Sequence, residues 1–400
     1  MTNVAIIGFG VVGGGVADLI TKNSKEVSAL GGDSVNIKYI LDLRDFPDSP
    51  FSDRIIHDFK IIENDPEINT VIEVMGGSHP AYEFTVAALS AKKNVITSNK
   101  EVVANYGDEF LSLAKKMGVS YRFEAAVGGG IPVISPLISF IKQNRISEVR
   151  GILNGTTNYI LTKMFSLGDT FESALLDAQK LGYAERNPDA DILGTDASRK
   201  ISILAAIVTG QLSSPDNIHT EGITNIRKAD VLAAEKLGLK IKLVGRCITR
   251  DGNMYIMVAP FMLGTGSSLS CVSGVYNAVE VLGEPIGNVM FYGQGAGAGA
   301  TSSAVVGDLM QIMCEGTHTA APVFKKSREI SDFSNFSTSR YVSFSKDAED
   351  AVRSVFTGST FINTDECTII TESMSERDYL EALEKLSSLG FAPLSHIRLL

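Results

Sequence analysis

Nowhere does this 400-residue chain carry a long basic run: its 36 lysines and arginines stand against 46 aspartates and glutamates, a formal net charge of -10 spread along the whole length. That excludes the basic footprint of a nucleic-acid-binding protein. An apolar stretch of about 18 residues is also missing, and Met1 leads at once into the strand-like run Val4–Ile7 with no basic leader. No membrane span and no export signal are expected, so the expected location is the cytoplasm. Cysteine is scarce: Cys247, Cys271, Cys314 and Cys367 show no CxxC spacing, scattered thiols in a reducing compartment are usually inert core residues, and no role is assigned to them. The few histidines are scattered too, and His79, with no His or Cys neighbour, reads as a helix-start residue. What is present is ordinary for a globular protein, 44% hydrophobic and 20% charged, with length for two or three domains.

The amino end carries the first strong signal. Val4–Ile7 is a short apolar strand, Gly8-Phe9-Gly10-Val11-Val12-Gly13 follows it, and a helix opens through Val16 to Ile20. This is the dinucleotide fingerprint in its proper context. Gly8 permits the turn, Gly10 lets backbone amides approach a pyrophosphate, and Gly13 lets the helix pack on the sheet. A second strand, Val35 to Leu41, ends at Asp42, suited to a ribose 2'-hydroxyl, and near Arg44, suited to a 2'-phosphate. NAD and NADP both stay open. Further strands are expected at Thr70–Met75, Asn94–Thr97 and Val119–Ala125. Ser98 and Lys100 then lie just past a carboxyl strand end, where open parallel sheets bind ligands. The run Glu124 to Ile131 combines glycines with one carboxylate, consistent with oxygen ligation of a hard cation or with a plain tight turn.

Acids and bases concentrate in the stretch Gly182 to Lys200. Glu185, Asp189 and Asp191 lie in a segment punctuated by Gly182, Pro188 and Gly194, and an apolar helix capped by Thr195 follows. Asp196 and Lys200 should share a face of its first turn. As a solvated i,i+4 pair they would contribute only about 0.3 to 0.5 kcal/mol; the neighbouring acids argue for a site instead. Upstream, Asn154-Gly-Thr-Thr-Asn158 opens another helix, a natural seat for a carboxylate.

These motifs together resemble the homoserine dehydrogenase family over roughly residues 1 to 320. The glycine fingerprint, Gly76-Gly77-Ser78-His79-Pro80, Thr97-Ser98-Asn99-Lys100, Glu124 to Gly128, Gly151 to Thr157, Gly182 to Glu185, Asp191 to Lys200 and the glycine run Gly293 to Thr301 occur in the family's order. The resemblance implies NAD(P)H-dependent interconversion of L-aspartate 4-semialdehyde and L-homoserine, on the route to threonine, methionine and isoleucine. It implies a cytoplasmic homodimer formed through the middle domain. It further implies that Lys200 donates and accepts the proton, with Lys100 as the second catalytic candidate. Glu185, Asp196, Asp191 and Thr156 would bind substrate; Lys100, Ser98, Gly182 and Gly297 would join the glycine turn in contacting NADP or NAD. Glu124, Val127, Gly129 and Ile131 match the family's sodium site. A lysine beside a reacting carbonyl can stabilise the alkoxide and supply a proton. Burial lowers a lysine's pKa and an adjacent carboxylate opposes the shift, so oxidation of homoserine is expected to be faster at alkaline pH.

The expected fold is therefore α/β: a Rossmann dinucleotide-binding domain (1–134 plus about 298–322), a mixed α/β substrate and dimerisation domain (135–297), and a small tail (339–400). A polar linker at 325–338 precedes that tail, whose strand and helix pattern, βαββαβ, resembles an ACT-type module. Ser345-Lys-Asp-Ala stands where that family has Asp-x-Pro-Gly, so amino-acid binding and a structural role both stay open. The rival from another class is a non-catalytic NAD(P)-binding sensor. A thioester-forming semialdehyde dehydrogenase would need a cysteine in a glycine-rich turn beside a base, which this sequence lacks.

Overall fold

The computed structural model describes all residues except 251, 316–323 and 327–329, so part of the expected linker lies outside the described residues. Contacts divide the chain into two units, one built from 1–145, 202–216 and 291–328, the other from 146–201, 217–290 and 329–400.

The first unit is a parallel sheet of β1 (Thr2–Ile7), β2 (Val35–Leu41), β3 (Ile55–Ile56), β4 (Ile68–Glu73), β5 (Asn94–Thr97) and β6 (Tyr121–Arg122), in the order β3-β2-β1-β4-β5-β6. Strands β1 and β5 are buried almost throughout, as parallel strands covered on both faces must be. Val4, Ile6, Ile72 and Ile96 form one core with Val16 and Ile20 of α1 (Val11–Lys22) and with Val305 and Leu309 of the helix Ala298–Glu315. Each such side chain contributes about 1.5 to 3 kcal/mol on burial. After α1 the crossover contains α2 (Ser24–Gly31), closed by Gly32 in the left-handed region. This unforeseen helix accounts for the long spacing between the glycines and Asp42.

Two expectations are corrected here. The strand expected over 119–125 is confined to β6, and Ala125–Gly128 is a helical turn. The reason is Glu124, whose carboxylate accepts from the amides of Val133, Ile134 and Ser135 (2.6, 2.7 and 2.8 Å) while its own N–H donates to Asp308. Those bonds turn the chain out of the ladder. The polar segment after 324 is not wholly irregular either, since Lys325 and Lys326 pair with Gln211 and Leu212.

The second unit holds a mixed sheet ordered Tyr276–Glu284, Arg145–Ile152, Leu239–Arg250, Asn253–Gly264, Ser395–Leu399, Arg340–Phe344, Cys367–Ile370, Thr360–Asn363. The Leu239–Arg250 and Asn253–Gly264 strands pair in register over their whole length. From Arg340 the elements run strand, helix (Glu349–Val355), strand, strand, helix (Glu376–Ser388), strand, the order of a ferredoxin-like module. Its last strand lies parallel to Asn253–Gly264, with Phe261 opposite Arg398, so tail and middle strands form one sheet.

Candidate active site

In the first unit, the glycine turn has the dimensions of a phosphate cradle. Gly8 sits at φ +95°, and a Cβ there would press on Met75 and on the Val74 carbonyl. A Cβ on Gly13 would fall 1.9 Å from the Gly8 carbonyl oxygen, so only glycine lets α1 approach the strand end. Around Gly10 nothing lies within 4 Å of a Cβ position, which leaves the mouth of the turn open in front of the helix amino end. On the opposite side of α1, Gly15 meets Ser302, whose hydroxyl donates to the Val12 carbonyl (3.2 Å).

At the end of β2, Asp42 is committed on both oxygens. It accepts from the Phe9 amide (2.8 Å) and from the Arg44 amide and Nε (both 3.0 Å) and Nη2 (3.1 Å). The Arg44 guanidinium holds the Asp42 carboxyl down to about 2, against the opposing effect of burial. Asp42 and Arg44 are thus one unit beside the glycine turn, with Arg44 lying over Phe46. After β5, Ser98 and half-buried Lys100 open the helix Lys100–Met117, whose start is capped by Asn99. Gly297 lies at φ +118° just before Ala298–Glu315.

Around Gly129 the backbone is at φ +57°, and a Cβ would collide with the Gly295 carbonyl at 2.4 Å; one on Gly130 would meet Ala300 at 2.8 Å. Close backbone packing therefore already requires these glycines. Because the Glu124 carboxylate is taken by amides, the oxygens this segment can offer a cation are its backbone carbonyls.

The second unit gathers the acidic stretch at the start of the helix Thr195–Thr209. Lys200 Nζ donates to Asp196 Oδ2 and to the Leu153 carbonyl, both at 2.8 Å. Asn154 Nδ2 donates to the same Asp196 oxygen (3.0 Å) and to Asp191 Oδ1 (2.6 Å), while its Oδ1 caps the next helix through the Thr157 amide (2.8 Å). Lys200 and Asp196 are buried, so this is no solvated surface pair; the carbonyl and the amide compensate the cost of burying the charges. Thr156 donates to the Tyr183 carbonyl (2.6 Å), which ties the helix start to the loop at Gly182, itself at φ +75°. Glu185 is exposed on that loop, its carbonyl accepting from Gln179. Lys200, Asp196 and Asp191 are thus brought together. Asn154, which joins the two aspartates, was visible in the sequence only as part of the polar run that opens a helix.

A parallel sheet in this order, with a glycine cradle at its first turn, and a buried lysine–carboxylate pair define an NAD(P)-dependent oxidoreductase. Comparison with known proteins gives the particular one. The family "Homoserine dehydrogenase, NAD binding domain" matches residues 8–124 and "Homoserine dehydrogenase" matches 132–310. Homoserine dehydrogenase from Bacillus subtilis is 34% identical over 421 residues, covering 96% of this chain and 95% of its own, and that from Synechocystis is 40% identical over 320 residues, covering 78% and 73%. The crystal structure of a homoserine dehydrogenase from Thiobacillus denitrificans superposes with a TM-score of 0.92 at 32% identity over 100% of this chain and 98% of that one. The chain belongs to the homoserine dehydrogenase family, which favours the enzyme over the non-catalytic sensor.

Proposed function

We propose that the acid–lysine cluster carries out reversible reduction of L-aspartate 4-semialdehyde to L-homoserine. The observation that carries this reading is the buried Lys200 ammonium held at 2.8 Å by Asp196 and by the Leu153 carbonyl. A bound nicotinamide supplies or takes up the hydride. As charge builds on the aldehyde oxygen, Lys200 stabilises it and delivers the proton; in the oxidative direction it removes the hydroxyl proton. Asp196 and Glu185 take the substrate ammonium, with Asp191 supporting Asp196 through Asn154, and Thr156 orients the carboxylate end. Lys100 assists beside the cofactor, which Gly8, Phe9, Gly10, Val11, Val12, Gly13, Ser98, Gly182 and Gly297 hold.

NADP is the preferred cofactor in this proposal, because Arg44 exchanges one of its bonds to Asp42 for a 2'-phosphate, while Asp42 keeps the Phe9 amide. A sodium ion would be held by the segment containing Glu124, Val127, Gly129 and Ile131, through its backbone carbonyls. The domain limits follow the motifs: 1–134 with about 298–322 for the cofactor, 135–297 for substrate and homodimer formation, 339–400 for an ACT-like module. The free thiols suit a cytoplasmic enzyme. The test is reduction of NADP and NAD in the presence of homoserine, with and without threonine. Arg44→Ala should raise the KM for NADP about tenfold and leave NAD nearly unchanged, a loss of one charge-assisted bond; equal effects on both cofactors would remove Arg44 from the ribose pocket.

A further inference from the structure

A buried acid that the proposed chemistry does not use stands at the crest of the parallel sheet. Glu73, the last residue of β4, lies opposite Ile7 of β1 and Thr97 of β5 and is 1% exposed. Its Oε1 accepts from the Met75 amide (2.8 Å), in the loop that packs against Gly8. Its Oε2 accepts from the Thr97 hydroxyl (2.6 Å), which in turn accepts from the Asn99 amide (2.9 Å). The two loops are stitched at further points: the Ser98 amide donates to the Glu73 carbonyl, Asn99 Nδ2 to the Gly77 carbonyl (2.7 Å), and Ser78 Oγ to Glu101 (2.7 Å). Both loops leave carboxyl ends of strands beside the β1 turn, where such sheets bind their ligands.

We infer that Glu73 is a positioning residue for the cofactor pocket: its carboxylate locks the loop Val74–Gly77 to the loop Ser98–Lys100, and only the ionised form accepts fully from both the Met75 amide and the Thr97 hydroxyl. Each carboxylate oxygen already faces a donor, so a proton on Oε1 opposes the Met75 amide and a proton on Oε2 opposes the Thr97 hydroxyl, and the neutral acid loses one of the two bonds. Burial pushes the Glu73 carboxyl up to about 7, against the hydrogen bonds from Thr97, Met75 and Asn99. The switch between the two forms therefore falls in the working range. Among the described groups around it, Ile7, Thr97 and Asn99 do not titrate, and burial keeps Tyr121 on β6 a neutral phenol. Lys100 and Glu101 begin the helix beyond the stitched loop.

The inference rests on the dehydrogenase reading, and NADPH binding tests it without substrate. The dissociation constant is measured from about pH 6 to about pH 9 for wild type, Glu73→Gln and Thr97→Val, with thermal melts to verify folding. Glu73→Gln should bind about tenfold more weakly at alkaline pH, the equivalent of one hydrogen bond to a charged group. Wild type should weaken to the same level on acidification through about 7, and Glu73→Gln should lack that limb. A wild-type affinity in Glu73→Gln would overturn the proposal. So would a surviving limb through about 7; protonation of the 2'-phosphate of NADPH, at about 6, is separated from it by repeating the titration with NADH. If Glu73→Gln does not fold, Thr97→Val decides: losing its hydrogen bond should move the limb to higher pH, and an unmoved limb contradicts the role. A wild type that binds NADPH but does not oxidise homoserine would sink the reading of the reaction and leave this one standing.

Discussion

Asn154 shows how one side chain can set the state of a site it does not chemically serve. Its amide spans Asp191 and Asp196, and its carbonyl caps the helix Gly155–Leu167, so both aspartates are fixed to the same rigid point. Asn154→Ala should cost about 1 to 2 kcal/mol in thermal stability through the lost cap. It should also lower kcat/KM for homoserine at least about tenfold, because Asp196 loses a donor and can swing with Lys200. A stability loss with unchanged kcat/KM would reduce Asn154 to a cap. Asp42 in the first unit makes a similar point, since one carboxylate joins the Phe9 amide, 33 residues away, to the nearby Arg44.

At the scale of elements, glycine placement decides what the first unit tolerates. Gly13→Ala would set a methyl 1.9 Å from the Gly8 carbonyl oxygen and should destabilise by roughly 3 kcal/mol or more in urea melts, the upper range for overpacking. Gly14, one residue on in α1, has nothing within 4 Å of a Cβ position, so Gly14→Ala should stabilise by about 0.5 to 1 kcal/mol. The reverse ranking would place the close approach elsewhere. These elements were legible because apolar runs, glycine turns and capping residues lie next to one another in the chain. The parallel strands β1, β4 and β5 and the helix Thr195–Thr209 were readable in that way. Less legible were the helix Ser24–Gly31, with mixed polarity, and the strand Gly287–Gln294, half exposed on alternate residues. The strand Tyr121–Arg122 was overextended in the sequence reading because Glu124 is captured by amides nine to eleven residues away. Asp196 and Lys200 were legible as a pair from their i,i+4 spacing, whereas the Leu153 carbonyl and Asn154 reach them only through the fold.

For the molecule as a whole, buried acids of opposite displacement give its two units different responses to pH. In the first unit burial raises Glu73 and Asp308 to about 7. Between about pH 4 and 7 the folded unit keeps protons that the unfolded chain releases, so stability from these groups falls as pH rises and levels off above 7. In the second, burial of Glu221 is outweighed by His219 and Arg398, which hold it down to about 2. Its contribution, of order 3 kcal/mol, is present above about 4.5 and is lost as pH falls toward 2. Hydrogen exchange followed along the chain should show the first unit better protected near pH 5 than near pH 8, and the second failing first below about pH 4; uniform loss of protection in both would contradict these assignments. The central claim, that Lys200 moves the proton in this homoserine dehydrogenase, is tested most directly by homoserine-dependent formation of reduced cofactor with wild type and Lys200→Met. The account predicts clear turnover for wild type and a kcat lower by about a hundredfold to ten-thousandfold for Lys200→Met, with cofactor binding retained. Unchanged turnover in a folded Lys200→Met would contradict it.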